Sequence, residues 1–455
     1  MVKMMELKKY KDNNYKRKSY VILVIGFLLL SISSYLFYKS YAFYEERKNF
    51  DVINGTVEDP GDIYFAYYID GVISRNMPLQ NTGYTLDETK SNCNNGVVPT
   101  WDNAGWKFIG DYHNYSATIN TRTKCTLYFN KTSKTVKTAL GNIEVNTYTP
   151  DFTKSACDDT SCESHEKGIF ETTDYDGKPT YYYRGSVENN YVKFAGFYWR
   201  IVRINSNGSI RMIYDGTSAH ENGEISDDRQ AMSSSFFNNY SNNMYVGYMY
   251  EENKQHGLLI SSVIKQNNDN FFKNNLNSYI NYLDKETGFC GDRSTLNLQS
   301  GVGTGTITTY YNGYLRISHG TPSLSCENTN DFYTITSSNV GNKALTYPVG
   351  LISADEAMLS GYGGGDFNGG YNYQKSCYKC FLTTGKNIWT MTPVGGYNPF
   401  DKTYWGIYVF IIDAVGRFDD PYTSGSNYSL TPVINIRSDV TITGSGTMTD
   451  PYVVA

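Results

Sequence analysis

The sequence predicts an α+β protein: a single N-terminal transmembrane helix, a small all-β domain and then a larger α+β domain. Three observations carry that expectation. An uncharged apolar run, Tyr20–Tyr38, stands near the start. Strand patterns joined by Asp-Gly and Asn-Gly turns recur after residue 61, and two capped helical patterns interrupt them in the second half. The expected divisions are a cytoplasmic basic segment 1–18, an anchor 19–38, a stalk 39–60, a small β domain 61–131, a connector 132–167 and the α+β domain 168–455.

The run YVILVIGFLLLSISSYLFY carries no charge, and at about 1.5 Å per residue its helix just spans a hydrocarbon core of roughly 30 Å. Lys3, Lys8, Lys9, Lys11, Lys16, Arg17 and Lys18 precede it against only Glu6 and Asp12. The positive-inside rule then leaves the N-terminus cytoplasmic and everything after Tyr38 extracellular, a single-pass protein of the cell membrane. A cleaved signal peptide is the competing reading. Its apolar region is shorter and ends in small residues, whereas Lys39, Ser40, Tyr41, Ala42 and Phe43 follow here.

Beyond the stalk the pattern is β. IYFAYYI (63–69), Asp70-Gly71 and Val72-Ile73 read as a two-residue hairpin, with further strands near 84–86, 106–109 and 125–129. The connector is Thr- and Lys-rich without periodicity. YVKFAGFYWRIVRINSNGSIRMIYDG (191–216) is a second hairpin turning at Asn207-Gly208, apolar on both faces and therefore expected in the middle of its domain. Ser261-Ser262 open a helix whose apolar face is Val263, Ile264, Phe271, Phe272 and Leu276. Ser353 and Glu356 form a capping box for a shorter helix closed by Gly361. TITTYYNGYLRI (306–317) reads as another Asn-Gly hairpin, and strands return near 389–391, 405–413, 430–437 and 440–443.

The eight cysteines fall into four local pairs: Cys93 with Cys125, Cys157 with Cys162, Cys290 with Cys326, and Cys377 with Cys380. Outside the cytoplasm an even count reads as disulfides, and neighbour pairing keeps each bond within one structural unit. A zinc reading of Cys377-Tyr-Lys-Cys380 requires a second ligand pair, which His113, His165, His220, His256 and His319 do not supply.

Five segments occur in order: FAGFYWRIVRINSNGSIRMIYDG, FCGDRS (289–294), YPVGLISADEAMLSG (347–361), WTMTP (389–393) and LTPVINIRSDVTITGSGTMTDPYVV (430–454). Together they resemble membrane-anchored surface proteins of low-GC Gram-positive bacteria and their mollicute relatives. The resemblance covers residues 168–455 and implies a C-type-lectin-like module, the fold shared with formylglycine-generating enzymes and with binding proteins diversified by retroelements. Thr431 stands where such modules commonly carry Arg before Pro-Val.

The formal net charge is −5 with the basic head included, so the outer portion is more acidic still and nucleic acid is not an expected partner. HExxH, GxSxG and Walker motifs are absent, and no catalysis or cofactor is expected. Asp413, Asp419 and Asp420 are candidate calcium ligands, with solvated turn charges as the plainer reading. The richest stretch is 395–428, which gathers Tyr397, Phe400, Tyr404, Trp405, Tyr408, Phe410 and Tyr422. Rings of this kind offer a large contact area at low entropy cost, so these seven are the candidate ligand-binding residues, with burial of both faces as the alternative. The expected function is extracellular recognition or adhesion, binding a glycan or protein ligand; a structural cell-envelope protein without a discrete ligand is the alternative.

Overall fold

A computed structural model describes residues 63–78, 84–94, 101–102, 107–108, 123–131, 134–141, 143–157, 161–240, 242–296, 300–364, 376–396, 407–419, 423 and 427–454. The structure is mostly sheet, 33% strand against 15% helix, which corrects the expected α+β class with its N-terminal membrane helix. Side chains of Thr135, Ser262 and Ser353 open three of the short helical runs, and Gly141 and Gly320 each close one. Among the described residues no helix is long and apolar enough to cross a membrane. Segment 19–38, expected as the anchor, lies outside the described residues.

The chain divides into two compact units between Asn130 and Lys131. In the first, Ile63–Ile69 turns back at Asp70-Gly71 into the antiparallel strand Val72–Ser74. Asp70 and Gly71 have φ of 49° and 81°, the left-handed conformations that such a tight turn requires. Thr123–Lys131 runs parallel to Ile63–Ile69 and also pairs with Asn92–Cys93. Cys125, Leu127 and Phe129 alternate onto one face and, with Leu86 and Cys93, form the small core. The Cys93–Cys125 disulfide joins that paired register.

The second unit holds a nine-stranded and a six-stranded sheet. The nine-stranded sheet is built on the hairpin Phe197–Ile204 and Ile210–Gly216, buried on both faces from Trp199 onward. Val433–Ile436 flanks one side of it, while Tyr191–Phe194 and Pro179–Arg184 share the other. Tyr452–Val454 then lies parallel to Tyr191–Phe194, followed by Thr441–Thr443 and Lys134–Thr135. The six-stranded sheet centres on Ile388–Gly396 and Ile407–Ile412. One large core serves the unit, with Trp199 and Trp389 among its largest side chains, and a smaller cluster of Phe170, Tyr182, Leu324 and Leu359 stands beside it.

Four α-helices occur among the described residues: α1 (Val136–Leu140), α2 (Val263–Asn275), α3 (Asn312–His319) and α4 (Ala354–Leu359). Ser262 caps α2, and Ser353 with Glu356 forms the capping box of α4. Two expectations change. The connector sends Val136, Leu140, Ala156 and Cys157 into the core of the second unit and one strand into its sheet. The hairpin expected over 306–317 is α3, preceded only by the short strand Thr309–Tyr310. Gly313 is there because α3 lies close on the sheet: a Cβ would sit 2.4 Å from Thr392 Cγ2. Gly320, at φ 64°, is its left-handed C-cap.

Candidate functional site

Five of the seven aromatic residues expected at a binding surface, Tyr397, Phe400, Tyr404, Trp405 and Tyr422, lie outside the described residues. Phe410 is fully buried against Phe418 in the core, as the alternative of two covered strand faces has it. Tyr408 is partly buried and packs on that core. The candidate calcium carboxylate Asp413 accepts from Arg417 Nε at 2.8 Å and from the Val415 and Arg417 N–H groups, which leaves it engaged within its own turn. Asp420 lies outside the described residues.

An aromatic surface is present among the described residues. Tyr240, Tyr245 and Tyr250 form a file, with ring centroids 5.0 Å and then 4.9 Å apart. It runs from Tyr250, 9% exposed and held in a strand pair with Ile260–Ser261, to Tyr240, 58% exposed. The turn Asn243–Tyr245 sets the middle ring, with the Asn242 side chain accepting from Met244 N. Asn243 Nδ2 donates to Ile307 O, and Tyr311 Oη donates to Asn243 O, so the turn is clamped from the 307–311 segment. Thr423 fixes the exposed end: its hydroxyl donates to Tyr240 O, and its carbonyl accepts from Phe237 and Asn238.

A second pair, Tyr310 and Tyr314, stands with centroids 6.0 Å apart, and Tyr310 is 51% exposed. Tyr310 is in register with Gly395, at the end of the strand that precedes Tyr397. Burial first raises the Tyr245 and Tyr250 phenols above their ordinary value, with Glu252 and the neighbouring tyrosines adding to it. At neutral pH they are therefore uncharged rings with hydroxyl donors, the chemistry that stacks on a sugar face or an apolar side chain and hydrogen-bonds at its rim. This file escapes sequence reading because its spacing of five is neither a strand nor a helix period.

The charged interior is engaged elsewhere. Glu356 accepts from Arg203, Arg211 and the Ser353 N–H. Burial would raise its pKa, and the two guanidinium groups more than offset this and hold it low. Helix capping thus accounts for only part of Glu356. Arg316 forks onto Asp355 and reaches Asp292. The cavity beside these groups is about 20 Å³, room for little more than a water. A groove of about 250 Å³ between α1 and the 205–208 turn is also below the usual volume of a small-molecule site, roughly 300 Å³ upward.

Fold and surface together define a two-unit, predominantly β protein, cross-linked by four disulfides that take up all eight cysteines in neighbour pairs. Such cross-linking belongs to an oxidising environment, outside the reducing cytosol. No family model, curated protein or solved structure matches this chain.

Proposed function

We propose that the chain is a cell-surface recognition protein that binds a glycan or protein ligand without chemical conversion. The observation that carries this reading is the file Tyr240–Tyr245–Tyr250, wedged at its inner end and open at its outer end. The inner rings are already ordered, so a ligand stacking on Tyr240 costs little further entropy there. Tyr310 and Tyr314 add a second aromatic pair, and Tyr310 is in register with Gly395, two positions before Tyr397 in the sequence. Individual contacts of this kind are weak, and many copies on one surface add them together.

The test is a screen of the purified chain on glycan and protein arrays, with and without calcium. Discrete hits weakened at least tenfold by Tyr240→Ala or Tyr245→Ala, at unchanged melting temperature, are expected. Absence of any hit together with concentration-dependent self-association overturns the reading in favour of a structural envelope protein.

A further inference from the structure

Two of the disulfides, Cys157–Cys162 and Cys377–Cys380, come from distant parts of the sequence and meet in the core of the second unit. The Sγ atoms of Cys157, Cys377 and Cys380 all lie within 4.8 Å of one another, and Cys162 is bonded to the first of them. Folding therefore supplies the second cysteine pair that Cys377-Tyr-Lys-Cys380 lacks in sequence.

Backbone contacts, and not only the sulfur bonds, hold the four residues in place. Cys377 N donates to Gly416 O, Cys380 N to Cys377 O and Thr383 N to Cys380 O. The Arg229 guanidinium caps the carbonyls of Phe381 and Thr383. On the other side Ala156 N donates to Gly361 O, and Glu163 N donates to Ala156 O. Gly361, at φ 126°, lies so close that a Cβ would stand 2.6 Å from Cys380 Sγ. Opening both disulfides thus leaves the thiols of Cys157, Cys377 and Cys380 within 4.8 Å of one another, with Cys162 beside Cys157. A tetrahedral zinc ion with Zn–S of about 2.3 Å needs its sulfurs about 3.8 Å apart; Cys157, Cys377 and Cys380 already lie within 4.8 Å of one another, and Cys162, freed from Cys157, turns in as the fourth ligand.

We propose that the reduced chain, as it exists before oxidation, holds one thiophilic divalent cation of the zinc class on Cys157, Cys162, Cys377 and Cys380. Oxidation then expels the ion and leaves the two disulfides. On binding, four thiols release four protons and the ion becomes a tetrathiolate of charge −2. On oxidation by two equivalents of a small-molecule disulfide, the four thiolates lose four electrons and form two S–S bonds. The oxidant takes up those electrons with four protons to give four thiols, and the divalent ion is released. The centre orders the second unit before its cross-links exist, because metal binding free energy is folding free energy.

The test uses the full chain made in a reducing cytosol with zinc supplied and purified without oxygen. The expected result is one zinc per chain, with Cys157, Cys162, Cys377 and Cys380 protected from alkylation and the other four cysteines open to it. Cobalt(II) in its place should give sulfur-to-metal charge-transfer bands, and oxidised glutathione should release the ion as the two disulfides form. A folded reduced chain with under a tenth of an equivalent of zinc overturns the proposal. So does a reduced chain that stays unfolded with zinc present, a cobalt spectrum of nitrogen or oxygen ligands, or undiminished zinc in Cys377→Ser/Cys380→Ser. None of these outcomes bears on the tyrosine surface.

Discussion

Arg203 Nε donates to Glu356 Oε1 at 3.0 Å, and both side chains are buried. The contact ties the central hairpin of the nine-stranded sheet to α4, which packs on the six-stranded sheet. Arg211 and the Ser353 N–H complete the carboxylate's partners. Glu356→Ala therefore strands buried guanidinium charge and should cost about 3–5 kcal/mol. Loss of a helix cap alone costs about 1 kcal/mol. A urea midpoint for Glu356→Gln, which keeps a capping side chain, separates the two. A loss near that of Glu356→Ala is expected, and one below about 1 kcal/mol refutes the ion-pair account.

Acid should weaken the second unit through the same network. At Asp174 and Glu356 burial raises the pKa, and the facing arginines more than offset it. At Asp284 burial is outweighed by hydrogen bonds from Thr287, Asn207 and Ser209. All three are thus lowered in the folded chain relative to the unfolded values of about 4. Their stabilisation is complete above about pH 5 and is lost as pH falls through the folded values. Denaturant midpoints from pH 6 to pH 3 should decline, and more shallowly in Glu356→Gln; a flat profile contradicts this.

The first unit leans on one bond. Its core is small, and the Cys93–Cys125 link closes a loop of separation 32. Cys93→Ala/Cys125→Ala should cost that unit about 3–4 kcal/mol. Calorimetry should show its transition lowered or abolished while that of the second unit stays in place. A joint shift of both transitions argues against independent units.

Gly313 tests the helix that replaced the expected hairpin. In a helix Ala is better than Gly by about 1 kcal/mol, yet here a Cβ meets Thr392 Cγ2 at 2.4 Å. Gly313→Ala should destabilise by about 1–3 kcal/mol. Thr392→Ser should recover most of that, because it removes the methyl and keeps the hydroxyl that accepts from Ala354 N. Additive effects in the double-mutant cycle would show that the two groups do not touch.

Phe410→Ala should behave as a core deletion and not as a binding mutation. A loss of about 3–5 kcal/mol is expected, with Phe410→Leu far milder. Unchanged stability would return Phe410 to the surface.

Much of this architecture is legible from residue order because its signals are local. Asp70-Gly71 and Asn207-Gly208 mark turns through the backbone angles they tolerate, and Ser353 with Glu356 marks a helix start within four residues. The same turn rule misleads at Asn312-Gly313, where the glycine answers to a side chain some eighty positions later. Glu356's arginines and the partner cysteines of Cys377–Cys380 are equally remote. Along Ile407–Ile412 alternation cannot separate core from surface, since Val409, Phe410, Ile411 and Ile412 are all buried. What local pattern cannot carry is the identity of distant neighbours, and the interior charges and sulfurs are made of those.

The strand Tyr452–Val454 bridges Tyr191–Phe194 and Thr441–Thr443. Its partner Tyr191–Phe194 lies some 260 positions earlier, so the two strands Thr441–Thr443 and Lys134–Thr135 stay detached from the other six until Tyr452–Val454 pairs. Closure of so distant a pairing is slow, and it commits the whole unit at once. A nascent chain halted anywhere short of residue 452 would show open sheet edges, the kind of surface that quality control and sister chains both seize upon.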